Sequence, residues 1–203
     1  MKLIPINLAT EDELSEITLD RLLEALNRFT VGFRYRKGGF GYLRKTIHGW
    51  NQAAKGTPYV VLTDLDAANC ASELINSWLP LPKNPNLLFR VAVREVESWL
   101  LADAENFSKF IGVTPSLIPV ETDRLSDPKA TLIQLAAKSR FRYIREDIVP
   151  RRGSTAKQGP DYNGCLGKFV REFWSPDIAR NNSPSLARTL DRLASFTPIW
   201  PNF

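Results

Sequence analysis

Three acidic side chains of this sequence are spaced so that they could bind a metal ion. Glu11 follows an apolar N-terminal segment, and Asp64 and Asp66 follow the most apolar strand-like segment of the chain. In a strand, residues i and i+2 point to the same face, so both aspartates can reach one hard cation. If the two segments are neighbours in a parallel sheet, Glu11 shares that sheet edge with them. Three carboxylates repel one another unless a divalent cation neutralises them, so the arrangement predicts Mg²⁺ or Mn²⁺.

Each of these acids also has an ordinary structural explanation. Aspartate is frequent in turns, and acidic residues in the first turn of a helix interact favourably with the helix dipole. Thr10 and Glu13 have the spacing of a capping box, which predicts a helix start there. Glu97 follows a later apolar segment, residues 87–93, and is either a fourth carboxylate at the same edge or a helix-dipole partner. At the level of sequence both interpretations stay open.

Other kinds of site have little support. A single histidine, His48, and two cysteines, Cys70 and Cys165, are too few for a zinc motif or a disulfide framework. The glycines at 38, 39 and 41 lack the lysine and Ser/Thr of a phosphate-binding P-loop. Any metal would therefore have to be bound by carboxylates.

The acids are positioned by alternating strand and helix patterns in the first half of the chain. Strands are predicted over residues 2–8, 30–36, 58–66 and 87–93, and helices over 10–28, 42–54 and 70–79. Beyond about residue 104 the pattern is mostly helical, over 104–111, 127–138, 162–174 and 184–195. This order predicts an α/β fold, with a mainly parallel sheet flanked by helices and a helical C-terminal part.

Composition indicates a globular protein. The chain has 203 residues, of which 43% are hydrophobic and 24% charged, which suits one compact domain. No run of about 18 apolar residues occurs, and the N-terminal apolar run is too short for a signal peptide. We therefore expect a soluble cytoplasmic protein with reduced thiols and no membrane contact.

The positive charge lies in the C-terminal part. Residues 1–123 carry 13 basic and 15 acidic side chains, whereas residues 124–203 carry 14 and 7, within a net charge of +5. Two basic segments suit a nucleic acid, because cations attract phosphates and bases stack on aromatic rings. One covers residues 138–157, and the other has aromatic residues among Arg34, Arg36, Lys37 and Arg44. Solvated surface is the competing interpretation for both segments.

The acidic residues resemble those of the Toprim fold, and specifically an uncharacterised bacterial Toprim-like group. That family has a glutamate after the first strand and a DxD pair after a later strand, matched here by Glu11 and by Asp64-Leu65-Asp66. The stretch 94–103, REVESWLLAD, and the later segments DPKATL and GPDYNGCL are also similar to the bacterial group. The family's glycine after the glutamate is replaced by Asp12, so Glu16 is an alternative first ligand.

The resemblance implies a Toprim-like core over residues 1–112 and a helical basic extension over 113–203, packed as one domain. It implies a Mg²⁺- or Mn²⁺-dependent phosphodiesterase acting on DNA or RNA, with a role as a phage-defence or toxin effector. Glu11, Asp64 and Asp66 would hold the metal, with help from Glu97. The residues expected to contact the nucleic-acid backbone are Arg94, Lys129, Arg151, Arg152 and Lys157.

An alternative is a module without catalytic activity. In that interpretation the acids only cap helices, and the basic surface binds nucleic acid or an ATPase partner protein. A nucleotide-binding α/β protein is a third, weaker possibility. Assembly into an oligomer is compatible with each of them.

Overall fold

A four-stranded, all-parallel sheet forms the centre of the N-terminal part of the protein. The computed structural model describes residues 2–36 and 38–200, so the predicted basic residue Lys37 lies outside the described residues. The strands are β1 (Ile4–Thr10), β2 (Phe29–Tyr35), β3 (Tyr59–Asp64) and β4 (Leu87–Ala92), in the spatial order β2-β1-β3-β4. The expected side-by-side pairing of the first and third strands is confirmed, with Thr10 opposite Leu62.

Helices connect and follow the strands, which confirms the α/β class. The three connecting helices are α1 (Glu13–Leu26), α2 (Gly39–Ala53) and α3 (Ala71–Trp78). The later helices are α4 (Val96–Leu101), α5 (Ala104–Ile111), α6 (Pro128–Ala137), α7 (Arg142–Ile148), α8 (Tyr162–Glu172), α9 (Pro176–Ala179) and α10 (Pro184–Ala194). Short 3₁₀ turns occupy Pro115–Leu117 and Thr122–Arg124. In the described part of the chain, every helix is too short or too polar to cross a membrane.

The chain divides into two compact units. The first consists of the described residues of Met1–Val93 and Arg188–Phe203, and the second of Arg94–Ala187. This division differs from the expected boundary at residue 112. The reason is that α4 and α5 belong with the later helices, whereas most of α10 belongs with the sheet.

Strand alternation explains how the sheet of the first unit is covered. Tyr59, Val61 and Phe89 share a buried cluster with α2 and α3, as period-2 alternation requires for one face of a sheet. Val60 and Leu62, which are fully buried, point to the opposite face, where α1 packs. The connection from β1 to β2 and the connection from β2 to β3 run in opposite directions across the sheet. Because crossovers between parallel strands are almost always right-handed, this places α1 and α2 on opposite faces.

The start of α1 differs from the predicted capping box. Thr10 is the last residue of β1, and the helix is capped by Asp12, whose carboxylate accepts the backbone N–H of Ser15 at 2.8 Å. Glu13 is instead an exposed acid that lies 3.8 Å from Arg36. The prediction was wrong because β1 extends two residues beyond the apolar run, which moves the helix start along the chain.

The second unit is built around buried aromatic residues. The indole of Trp99 is fully buried and donates a 2.7 Å hydrogen bond to Ser185 Oγ. Trp174 Nε1 donates to the Trp99 carbonyl at 3.2 Å. Asp103 caps α5 by accepting the backbone N–H of Asn106. All six residues of α4 are buried, so this helix has no solvent face.

Candidate active site

The carboxylate of Glu11 lies at the carboxyl end of β3. It follows β1 directly, and because β1 and β3 are hydrogen-bonded neighbours, it reaches the end of the adjacent strand. One of its oxygens, Oε1, accepts the backbone N–H of Asp64 at 3.0 Å and also the hydroxyl of Thr63. Glu11 is therefore held in place by the end of the strand that carries the predicted aspartate pair.

This position is the switch point of the sheet topology. The chain leaves β1 towards β2 on one side and leaves β3 towards β4 on the other. The connections therefore diverge above β1 and β3, and in open α/β sheets ligands bind in the crevice so formed. Glu11 and Asp64 meet at this edge of the sheet, at the carboxyl end of β3.

The aspartate pair is arranged differently from the strand geometry assumed for it. β3 ends at Asp64. The next residue, Leu65, still donates its backbone N–H to the Ala92 carbonyl at 2.9 Å. Asp66 has a φ of 48°, in the left-handed region, and its side chain is exposed. The expectation that residues 64 and 66 share a strand face is therefore wrong, because the chain turns between them.

Negative charges surround Glu11. Burial raises the pKa of the Glu11 carboxyl, while the bonds from Thr63 and from the Asp64 N–H lower it. The charges of Asp66 and Asp12 raise this pKa further. Since Asp66 acts electrostatically on Glu11, the two side chains contribute to one negative region beside the end of β3.

The donor atoms suit a hard divalent cation, although they do not form a closed cage. Within residues 2–36 and 38–200, no three His, Cys, Asp or Glu side chains form a group that could hold a metal ion. Mg²⁺, however, is usually bound by one or two carboxylates together with water and substrate phosphates. Glu11, Asp64 and Asp66 are the side chains beside the end of β3 that would supply such a partial set of ligands.

The alternative first ligand, Glu16, is engaged elsewhere. It lies on α1, and its Oε2 is 3.7 Å from Arg36 Nε. Arg34 likewise pairs with Asp20 at 3.1 Å. Two cations of the predicted aromatic and basic segment are therefore bound by acids of α1, which weakens the expectation that this segment holds phosphates.

Glu97 belongs to a buried polar network of the second unit. Its side chain is 3% exposed, and Oε1 accepts the Tyr162 hydroxyl at 2.8 Å and lies 3.4 Å from Lys129 Nζ. The backbone N–H of Lys129 also donates a hydrogen bond to Glu95 Oε2 at 2.9 Å. Burial and the charge of Glu97 raise the pKa of Glu95, and Lys129 opposes both effects. The catalytic role of Glu97 and the phosphate contact of Lys129 stay predictions, and the contacts described here are those of a structural network.

The remaining predicted nucleic-acid contacts lie at the surface of the second unit. Arg151, Arg152 and Lys157 are exposed in the loop between α7 and α8. Arg94, which is half-buried, begins the unit. Their role in binding stays a prediction.

Sequence reasoning missed a group of cations in the first unit. Arg90 on β4 donates to Thr189 Oγ1 on α10 at 3.4 Å. Burial, with the charges of Arg188 and Arg192, lowers the pKa of Arg90. Burial, with Arg90 and Arg192, likewise lowers the pKa of Lys83. We call Lys83, Arg90, Arg188 and Arg192 the cationic cluster. No local pattern links residues this far apart in the chain, so the sequence held no signal for it.

Comparison with known proteins adds no family to this geometry. No protein-family model, functionally described protein or solved structure matches the chain. The functional interpretation therefore rests on the residues and their arrangement.

Proposed function

We propose that this protein is a Mg²⁺- or Mn²⁺-dependent phosphodiesterase of the Toprim type that acts on DNA or RNA. The observation that carries the proposal is the contact of Glu11 with the end of β3, through the Asp64 N–H at 3.0 Å and the Thr63 hydroxyl. This contact joins the acid after the first strand to the DxD segment at the switch point of the sheet.

The residues of the chain would divide the work as follows. Thr63 and the Asp64 N–H fix the orientation of the Glu11 carboxylate, so that its second oxygen is available to a ligand. Asp66, on an exposed turn, adds negative charge near the same point. A divalent cation held by Glu11, Asp64 and Asp66 would supply charge neutralisation at the scissile phosphate and would lower the pKa of an attacking water.

A cleavage assay tests this proposal. Purified protein is incubated with labelled single-stranded and duplex DNA and RNA in Mg²⁺, in Mn²⁺ and in EDTA, together with Asp64→Asn and Asp66→Asn. We expect cleavage that needs metal and is lost in both variants, because each removes a charge from the metal site. Glu172→Gln, which neutralises an exposed acid of α8, is the matched control and should cleave normally.

The result that would overturn the enzymatic proposal is equally direct. Cleavage that persists in EDTA, or that survives both aspartate substitutions, would show that the carboxylates are not the catalytic centre. Absence of cleavage with every nucleic acid and both metals would also count against it.

The cationic cluster favours a second function, nucleic-acid binding without catalysis. Arg90 donates to Thr189 of α10, and its pKa is lowered by burial and further by the charges of Arg188 and Arg192. A bound polyanion would relieve this repulsion between like charges. The helix that carries Arg188 and Arg192, α10, also carries one acid, Asp191. In this case the affinity for nucleic acid would be the same in Mg²⁺ and in EDTA, and Asp64→Asn would bind like the unaltered protein.

A further inference from the structure

A cavity of about 520 Å³ opens beside Asp66 in the first unit. Its walls come from the start of α2, from the loop between β3 and α3, and from α3 itself. This volume lies within the range of sites that bind small molecules or parts of larger ligands. The cavity therefore adjoins the candidate active site, since Asp66 is a member of both.

The apolar wall of the cavity is aromatic. Trp78 is 3% exposed, and its ring meets that of Phe40 edge-on, with centroids 4.7 Å apart. Phe89, on the sheet, packs against Trp78 with ring centroids 5.4 Å apart and holds it in place. Phe40 itself is 38% exposed, so part of its ring is open to a ligand. A supported aromatic ring at the wall of a cavity suits a flat, unsaturated group.

The rim of the cavity carries hydrogen-bonding and charged groups. Asn69 and Glu73 supply an amide and a carboxylate, two of the side-chain types that pair with the polar edges of nucleobases. Arg44 supplies a cation suited to a phosphate. All three side chains are exposed, so they are accessible to an incoming ligand.

We propose that this cavity holds one unstacked base of a single-stranded nucleic acid. The base would stack on Phe40 while Asn69 and Glu73 bond to its edge. Because Asn69 lies three residues after Asp66 in the same loop, the sugar and phosphate attached to that base would lie beside the acidic site. The inference rests on the proposed function only in identifying the ligand as a substrate.

A base within a duplex cannot enter such a cavity, because its faces are covered by its neighbours and its pairing edge by the opposite strand. The structure therefore favours single strands, loops or ends over paired nucleic acid. This preference separates the cavity from the cationic cluster, since backbone cations attract both kinds of nucleic acid.

Binding measured in EDTA tests the inference without requiring cleavage. Fluorescence anisotropy of a labelled single-stranded oligonucleotide is followed for the unaltered protein, for Phe40→Ala and for Phe40→Leu, which keeps apolar bulk without an aromatic face. We expect both variants to bind at least about fivefold more weakly, since stacking of one base is lost. Phe40→Trp, which keeps an aromatic face, should bind as tightly as the unaltered protein. A duplex of the same sequence should bind more weakly and be unaffected by these changes.

The matched control is Phe173→Ala, which removes an exposed phenylalanine of the second unit outside the cavity. Thermal unfolding of every variant verifies that the fold is kept. Unchanged single-strand affinity in Phe40→Ala, an equal loss with duplex, or an equal loss in Phe173→Ala would overturn the inference. Binding of a free mononucleotide in a Phe40-dependent way, with no Phe40 effect on the oligonucleotide, would also overturn it.

The same assay separates this inference from the proposed function. Phe40-dependent binding without metal-dependent cleavage would support the base-binding cavity and contradict the proposed phosphodiesterase activity. Metal-dependent cleavage with an affinity independent of Phe40 would retain the enzyme and sink the base site.

Discussion

The carboxylate of Glu11 accepts the backbone N–H of Asp64 at 3.0 Å, across a separation of 53 positions in the sequence. The contact joins the residue that follows β1 to the last residue of β3. It is possible only because those strands are parallel neighbours whose carboxyl ends meet at one edge of the sheet. Glu11 is therefore both a structural acceptor and a charge, and the two roles can be separated by substitution.

Glu11→Gln keeps an oxygen that can accept from Asp64 and Thr63 but removes the charge. We expect metal-dependent cleavage to fall at least about 100-fold, while the free energy of unfolding in EDTA stays close to that of the unaltered protein. Glu11→Ala removes both roles and should lower the free energy of unfolding by about 1–3 kcal/mol as well. Urea unfolding and the cleavage assay measure the two effects. Full activity in Glu11→Gln would contradict a role as metal ligand.

Tyr162→Phe removes the hydroxyl that donates to the buried Glu97. A hydrogen bond to a charged group contributes about 1.5–3 kcal/mol, so we expect a loss of that size in the free energy of unfolding. Urea unfolding gives the value. Tyr143→Phe, at an exposed tyrosine, is the control and should have little effect. An unchanged stability in Tyr162→Phe would show that Glu97 does not depend on this bond.

The two cysteines should differ sharply in reactivity. Burial raises the pKa of Cys165 to about 12, with further contributions from Asp147 and Asp161, whereas Cys70 is partly exposed. At pH 9 roughly one Cys165 thiol in a thousand would be a thiolate, the reactive form. We therefore expect a thiol reagent to label one cysteine in the folded protein from pH 7 to 9, and both in denaturant.

The same pKa gives a stability effect with a definite sign. The folded pKa of Cys165 lies above the ordinary value of 9.0, so the folded state keeps its proton while the unfolded state loses it. This contribution is fully present below pH 9 and decreases as the pH rises towards 12. Cys165→Ala should show less loss of stability than the unaltered protein over that interval. Rapid labelling of both native thiols at pH 8 would contradict the burial of Cys165.

Substitution of the cationic cluster should change the salt dependence of nucleic-acid binding. The affinity K falls with salt, and each phosphate contact removed makes the slope of log K against log salt less steep by about 0.7 for single strands and about 0.9 for duplexes. We expect such a decrease for Arg90→Gln and again for Arg188→Gln, measured by anisotropy at several salt concentrations. Arg142→Gln removes an exposed arginine that pairs with Glu146, and is the matched control. Equal slopes in all the variants would show that the cluster does not contact phosphates.

Local patterns were sufficient to predict the four strands and most of the helices in the described part of the chain, but they did not predict α7 and α9. The apolar run before Asp64 predicts β3 because a strand buried on both faces needs a continuous run of apolar residues. The strand patterns over residues 30–36 and 87–93 likewise predict β2 and β4, and the structure contains both. These predictions succeed because they depend on residues that are neighbours in the chain.

The geometry of the candidate site depended on tertiary structure. Asp66 leaves the strand with a left-handed φ, and a two-residue alternation carries no information about such a turn. The arginines at 90, 188 and 192 become neighbours only when α10 meets β4. The cavity lined by Phe40 and Trp78 likewise exists only once α2 and α3 pack on the same face of the sheet. The sequence alone therefore determined which residues end strands and begin helices, through periodicity and side-chain chemistry. Which of their side chains meet was decided by strand order and helix packing, because those contacts join residues tens of positions apart.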